Sequence, residues 1–383
     1  MENRRKIVII GSAYPLRGGG ISTYNERLAT AFLDNNDDVV IYSFKLQYPN
    51  FLFPGKTQFS KEPPPDKLNI KVAINSINPI NWIIIGREIK KLKPDIVIIR
   101  FWIPFMGPCL GTIARIISKN KFSTIISITD NIIPHEPKIL DKILTRYFIK
   151  SIHGFITMSK AVLSDLNRFD NRKPKRYCPH PLYDNFGDPI PKEKAKKILD
   201  LDKNFGYILF FGFIRDYKGL DLLLKAFGDK RLRKFPLKIL VGGEFYTNPQ
   251  PYYDLVKSQN IHDYVIFKSE FIPNTEVVNY FCAADIVVQP YKNATQSGIT
   301  QVAYHFNKPM IVTNVGGLNE IVPDGKVGYV VDCEPEKISD AIIKFFEQNK
   351  EQEFINNVKI EKEKYSWLNM LDIIKELYNF IKK

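Results

Sequence analysis

Arg215 and Lys218 stand three positions apart in the segment Phe210-FGFIRDYKGLDLLLKAF, in a loop between an apolar run and a helical pattern. Two cations fixed beside a helix start can grip a diphosphate through charge-assisted bonds. A second segment, Gln289-PYKNATQSGITQVAYHFNKPMIVTNVGGLNEI, puts Ser297 and Gly298 in a turn at a helix start and closes on Gly316, Gly317 and Glu320. Near the front, Ser12-AYPLRGGG-Ile21 joins a short apolar run to a helix. Gly19 and Gly20 let backbone N–H groups approach an anion there, and the helix start adds partial positive charge. The loop is not GxGxxG, so the dinucleotide fingerprint is absent. Each feature alone also reads as an ordinary turn with solvated charges.

The elements that must hold these residues follow an alternating pattern. Lys6-IVII-Gly11 reads as a strand, Ile21 to Leu33 as a helix and Asp38-VVIYSF as the next strand, with further strands at Pro94-DIVIIRF, Phe122-STIISIT and His153-GFITMS. Near-continuous Val/Ile runs mean strands buried on both faces of a parallel sheet. Residues 178–192, CPHPLYDNFGDPIPK, hold four prolines without periodicity and read as a linker. Six more strand-like runs follow, at Tyr207-ILFFG, Leu237-KILVGG, Tyr264-VIFKS, Ala284-DIVVQP, Pro309-MIVTN and Gly328-YVVD, and the chain ends in an amphipathic helix from Trp367 to Ile381. The fold expected is α/β with two Rossmann-like domains, residues 1–180 with the terminal helix 367–383, and residues 181–366.

Length and composition agree. At 383 residues the chain is long enough for two cores, and 44% hydrophobic with 25% charged residues excludes a disordered tail. The longest uncharged stretch near a membrane candidate, residues 101–114, is too short to span and contains Pro104 and Pro108. The cysteines, Cys109, Cys178, Cys282 and Cys333, show neither zinc-ligand nor disulfide spacing, which fits a reducing cytoplasm. Lys plus Arg exceed Asp plus Glu by 55 − 41 = 14, and residues 1–180, with 28 basic and 14 acidic side chains, carry all of it. That asymmetry suits nucleic acid or an anionic surface or ligand.

Taken in order, SAYPLRGGGISTYNERLA, KPDIVIIRFW, DNIIPHE, GFIRDYKGLDLLLKAF and KPMIVTNVGGLNEIVPDGKVGYVV resemble the retaining glycosyltransferases of GT-B fold, family 4, also called group 1 transferases. The resemblance covers nearly the whole chain. It implies two domains facing a cleft, an acceptor-binding first domain, a nucleotide-sugar-binding second domain and a terminal helix crossing back. Arg215 and Lys218 match the diphosphate-binding pair, although the family arginine more often directly follows the glycine, where this chain has Phe213. Ser297, Gly298, Ile299 and Thr300 would set backbone amides against the diphosphate or donor sugar, and Glu320 matches a position the family usually fills with Glu. The family's paired glutamates fall on Ala294 and Val302, leaving Thr295, Gln296 and Gln301 as neutral substitutes.

The resemblance further places Asp130 where the family often has a histidine near the donor sugar, with His135 beside it as a second catalytic candidate. Glu136, Phe51 and Phe53 are candidate acceptor contacts, Phe51 and Phe53 from a proline-flanked apolar loop suited to an acyl chain or a membrane interface. A stripe of Lys138, Lys142, Arg146 and Lys150 at steps of four supports docking on an anionic membrane. The implied activity is transfer of a sugar from a nucleoside diphosphate sugar to a glycan or lipid-linked acceptor with retention, in surface polysaccharide or glycolipid biosynthesis. No metal, cofactor or nucleic acid is implied, and the location expected is cytoplasmic, peripheral on the inner membrane face. The rivals are a GT-B-fold sugar epimerase or an inverting transferase among enzymes, and a nucleotide-sugar-binding subunit without turnover.

Overall fold

A computed structural model describes residues 4–17, 20–49, 57–60, 63–133, 140–294 and 297–383. The chain divides into two compact units, Met1–Pro181 with Ser366–Lys383, and Leu182–Tyr365.

The first unit holds a seven-stranded parallel sheet in the order β3-β2-β1-β4-β5-β6-β7. Its strands are β1 (Lys6–Ile10), β2 (Asp38–Leu46), β3 (Ile70–Asn75), β4 (Ile96–Phe101), β5 (Thr124–Thr129), β6 (Gly154–Thr157) and β7 (Lys175–Tyr177). Parallel strands require crossovers, supplied by α1 (Gly20–Asp34), α2 (Pro79–Leu92), α3 (Gly107–Ser118), α4 (Asp141–Ile149) and α5 (Lys160–Phe169). β4 and β5 are buried at every residue, which their unbroken apolar runs require. Helix starts follow capping chemistry: Asn78 accepts from the Asn81 amide ahead of α2, with Pro79 at its first position, and Ser159 accepts from Val162 ahead of α5. The unit's last helix comes from the chain terminus, where a Cβ on Gly154 of β6 would lie 2.7 Å from Ile381 Cδ1.

The second unit holds a six-stranded parallel sheet in the order β10-β9-β8-β11-β12-β13. Its strands are β8 (Gly206–Phe211), β9 (Leu237–Gly242), β10 (Val265–Lys268), β11 (Ile286–Gln289), β12 (Met310–Thr313) and β13 (Gly328–Val331). The helices are α6 (Lys192–Ile198), α7 (Leu220–Phe227), α8 (Gln250–Ser258), α9 (Val277–Ala283), α10 (Gly298–His305), α11 (Leu318–Ile321), α12 (Pro335–Glu347) and α13 (Glu351–Glu361), after which α14 (Trp367–Lys382) returns to the first unit. Its core joins Ile208, Phe210, Leu223, Phe227, Ile239 and Ile342. All four cysteines are free thiols. Among the described residues no helix is long and apolar enough to cross a membrane.

In both sheets the first strand lies between its neighbours at a point where the direction of strand progression reverses, between β1 and β4 and between β8 and β11. At such points the loops leaving the two strands diverge and open a crevice at the carboxyl edge.

The first unit also carries an acid-sensitive element. His180 is 3% exposed, its ring 5.1 Å from that of Tyr24, and its Nδ1 lies 2.7 Å from the Pro181 carbonyl oxygen. Burial first, then the Arg100 charge, push its pKa down to about 3, against a smaller raising effect of the Pro181 bond. The unfolded chain therefore binds this proton from about pH 6.5 downward while the folded chain does not. Stability falls as pH drops, by about 1.4 kcal/mol per pH unit for one such group. Urea unfolding at pH 7.5 and 5.5 should show a loss of about 1.4 kcal/mol that His180→Asn removes; an equal loss in that variant would place the sensitivity elsewhere.

Candidate active site

The crevice of the second unit is built where the loops after β8 and β11 touch. The Lys292 amide donates to the Tyr217 carbonyl at 2.7 Å. Gly219, at φ 68°, passes so close that a Cβ there would stand 1.9 Å from the Pro290 carbonyl oxygen. Only glycine satisfies both the left-handed backbone and the missing volume. Gly219→Ala should therefore destabilise the unit by at least about 1–2 kcal/mol from the backbone alone. That corresponds to a melting midpoint lower by several degrees, and an unchanged midpoint would mean the two loops do not meet this way.

This contact delivers Lys218 to its position. The residue closes the 3-10 turn Asp216–Lys218, and its Nζ donates to the Tyr291 hydroxyl at 3.3 Å. That hydroxyl in turn lies 3.3 Å from Ser297 Oγ, at the start of α10. A Cβ on Gly212 would lie 3.2 Å from Lys218 Nζ and 3.5 Å from Ile299 Cδ1, so the bare glycine leaves room above the ammonium. Gly212, Lys218, Tyr291, Ser297 and Ile299 thus converge from three segments. Lys218 is half-buried, and its pKa is lowered chiefly by burial; Tyr217 opposes the shift and Arg215 adds to it. Tyr291 is pushed up to about 12 by burial, against the lowering effect of Ser297, and so stays neutral at ordinary pH.

Arg215 lies beside this group. Its guanidinium stands 5.0 Å from the ring centre of Tyr246, which packs on Phe213 at 4.5 Å. Phe213 therefore contributes an aromatic ring where the family more often has its arginine. Thr300 is fully buried and donates to Gln289 Oε1 at 3.2 Å, while neither amide atom of Gln301 nor Nε2 of Gln289 finds a partner among the described residues. Ala294 and Val302 are buried and apolar, so the positions of the paired glutamates belong to the core here. Glu320 is half-buried on α11, after the loop that leaves β12, one strand further along the same edge.

At the matching edge of the first unit, Asp130 follows β5 and is 5% exposed. Both its oxygens accept from Arg100 of β4, Oδ2 from Nε and Oδ1 from Nη2, each at 2.6 Å. The guanidinium lies 3.8 Å from the ring centre of Tyr24, and Tyr24 packs on Trp367 of α14 at 5.0 Å. Asp130 is thus an oriented carboxylate whose charge is already balanced. Arg100 was not singled out from the sequence, although one cation in the apolar run IVIIRF is a signal, because a charge buried in a central strand must be paired.

The front glycine loop differs from an open anion cradle. Glu26 of α1 accepts from the Tyr14 amide at 2.8 Å, and Asn25 donates to the Ser12 carbonyl at 2.9 Å, so side chains of α1 occupy part of the loop's backbone. Gly20 is the exposed first residue of α1. Gly19, Phe51, Phe53, His135, Glu136, Lys138, Thr295 and Gln296 lie outside the described residues.

Residues 191–361 match the family model described as glycosyl transferases group 1. Among curated proteins, the D-inositol 3-phosphate glycosyltransferase of Gordonia bronchialis is 25% identical over 201 residues, 50% of this chain and 44% of that protein. The protein of that name from Corynebacterium aurimucosum is 30% identical over 148 residues, 36% of this chain and 34% of that one. The matched stretch thus spans less than half the length of either relative. Among solved structures, sucrose-phosphate synthase from Thermosynechococcus elongatus has a TM-score of 0.73 at 16% identity, over 98% of this chain and 100% of that one. The Anabaena protein HepE, in complex with UDP, has a TM-score of 0.72 at 14% identity, over 97% and 98%. These likenesses show the fold, which is GT-B. Residues 191–361, the stretch that holds the Lys218 group, are what this chain shares with the group 1 glycosyltransferases.

Proposed function

We propose that the chain transfers a sugar from a nucleoside diphosphate sugar to a glycan or lipid-linked acceptor with retention of configuration, in surface polysaccharide or glycolipid synthesis at the inner face of the cytoplasmic membrane. The observation that carries the reading is the convergence of Lys218, Tyr291 and the start of α10 at the crevice beside β8 and β11. In the proposed reaction the bond from the anomeric carbon to the diphosphate breaks as a bond to the acceptor oxygen forms on the same face. The acceptor proton passes to the departing phosphate. Lys218, Arg215 and the amides of Ser297 to Thr300 stabilise the growing diphosphate charge, a term that is often the largest in such chemistry. These cations do so without a required metal ion. In this reading Asp130, held by Arg100, acts in the chemical step together with His135, while Glu136, Phe51 and Phe53 contact the acceptor and Glu320 contacts the donor. UDP-sugars are the first donors to try, since HepE is also solved with UDP-glucose.

The test is incubation with a donor panel in the presence of a chelator. Release of nucleoside diphosphate only when acceptor is present, with a product of the donor's anomeric configuration, supports the reading. Saturable donor binding without release would make the chain a binding subunit, and release of a free epimerised sugar without acceptor would make it an epimerase.

A further inference from the structure

Helices α2, α3 and α4 pack side by side in that order, at close approaches made by glycine: a Cβ on Gly86 of α2 would lie 2.9 Å from Ile116 Cβ of α3, and one on Gly107 of α3 would lie 2.5 Å from the Leu144 carbonyl oxygen of α4. Each is a crossover between parallel strands, so all three run the same way and their N-termini share the sheet's carboxyl edge. That common direction gives the layer two different ends.

At the N-terminal end the outward side chains are apolar. Ile77, Ile80 and Ile84 are 50%, 70% and 56% exposed at the start of α2, with Ile83 beside them, and Leu140 and Ile143 are 61% and 62% exposed at the start of α4. Toward the C-terminal end exposed cations predominate, Arg87 and Lys91 on α2 and Arg146 and Lys150 at the end of α4, beside Leu92 and Tyr147, which are each 38% exposed. Ile80, Ile84, Arg87 and Lys91 follow helical spacing along one stripe of α2. Eleven residues separate Ile80 from Lys91, a rise of roughly 16 Å at the helix pitch. Among the described residues of these three helices, Lys142 is the one exposed cation near the apolar end. Of the carboxylates on α2, α3 and α4, Glu88 is already bound by Lys71 at 2.6 Å and by Tyr42, and Asp141 opens α4.

Apolar side chains exposed to this extent on the two helix starts that flank α3 mark a surface that something covers. A second copy of the chain is disfavoured, because a self-complementary pairing would set Arg87, Lys91, Arg146 and Lys150 against like charges. An apolar tip followed by a cationic collar matches the depth profile of an anionic bilayer, where apolar side chains sink about 5–10 Å and cations rest at the phosphates. We propose that the N-terminal ends of α2 and α4 insert into an anionic membrane surface, with Arg87, Lys91, Arg146 and Lys150 as the collar at headgroup level. This makes the isoleucines together with the local collar, rather than the net charge of the first unit, the determinants of docking. It also brings the carboxyl edge, with the Arg100–Asp130 pair, toward the lipid. The inference deepens the membrane location given above and does not depend on the sugar-transfer chemistry.

The test is flotation of the full chain with vesicles of phosphatidylcholine alone or with phosphatidylglycerol added. Wild type should float with the anionic vesicles at low salt and be released by high salt. Ile80→Ser/Ile84→Ser/Ile143→Ser should weaken that binding at least tenfold with the charge unchanged, and Arg87→Gln/Lys91→Gln/Arg146→Gln/Lys150→Gln should weaken it at least tenfold on anionic vesicles only. All these positions are exposed, so both variants should melt like wild type, and nucleoside diphosphate release with a soluble acceptor should be unaffected. Absence of wild-type binding at low salt, wild-type binding by the serine variant, or a dimer in sedimentation that the serine changes dissociate would overturn the inference. Vesicle binding without any sugar transfer would overturn the enzymatic reading and leave this one standing.

Discussion

Asp130→Asn should lower the melting midpoint of the protein by on the order of 10 °C. The substitution keeps the shape of the side chain but removes the charge that balances Arg100, which is only 2% exposed. Breaking one partner of a buried ion pair destabilises by about 3–5 kcal/mol, because the other charge stays buried without compensation. In a unit of this size each kcal/mol moves the midpoint by about 2–4 °C. The amide of Asn would also turn an N–H toward one of the two guanidinium nitrogens that now donate to Asp130. Changing both partners to leucine removes the unpaired charge, so Arg100→Leu/Asp130→Leu should melt closer to wild type than Asp130→Asn does. That pattern separates a pairing role from a catalytic one, since the double variant would regain stability but no turnover. Well below the midpoint, Asp130→Asn should lose turnover while donor affinity holds. A midpoint within about 2 °C of wild type would mean that the pair contributes little, and undiminished turnover in the folded variant would remove Asp130 from the chemistry.

The central strands of both sheets were legible because strands buried on both faces need unbroken apolar runs, and β1, β4, β5, β8, β9 and β11 have them. The edge strands of the first sheet were not. β3, IKVAIN, mixes Lys71 and Asn75 with apolar residues because much of it is exposed, and β7, KRY, has three half-buried residues and two positive charges. The basic loop pair was legible from type and spacing. Its partner Tyr291 was not, since the meeting of the loops after β8 and β11 depends on strand order, and β8 and β11 are separated in sequence by β9 and β10. Arg100 could have been found by asking what balances a cation in IVIIRF. The outward stripe of α2 was hidden for a different reason. INWIIIGREIKKL carries isoleucines on several sides of the helix, and only packing decides that Ile85 and Ile89 face the core while Ile80 and Ile84 face solvent.

Lys218→Ala should weaken nucleoside diphosphate binding by roughly tenfold or more. A charge-assisted bond to phosphate in a partly enclosed site contributes about 1.5–3 kcal/mol, and about 1.4 kcal/mol is a factor of ten. The geometry makes this lysine the more exposed to test of the two cations. Its ammonium is held at Tyr291, beside the bare Gly212 and the start of α10, whereas Arg215 rests on the Tyr246 ring and can shift with that contact. Arg215→Ala should therefore weaken binding less than Lys218→Ala. The lowered pKa of Lys218 adds a pH signature. With the folded pKa below the usual 10.5, the free site loses its charge at a lower pH than an exposed lysine would, and a bound diphosphate restores that charge by pulling the proton back. Affinity should then fall as pH rises through the folded pKa, with proton uptake on binding, and the Lys218→Ala variant should lose that dependence. Lys218→Arg is not a conservative control here, since a planar guanidinium offers a phosphate a fixed fork of donors in place of a compact point charge. Calorimetric titration with UDP and GDP at two alkaline pH values reads affinity and proton uptake together. Unchanged affinity in Lys218→Ala would move the diphosphate away from the crevice between β8 and β11, and with it the observation on which the proposed transfer rests.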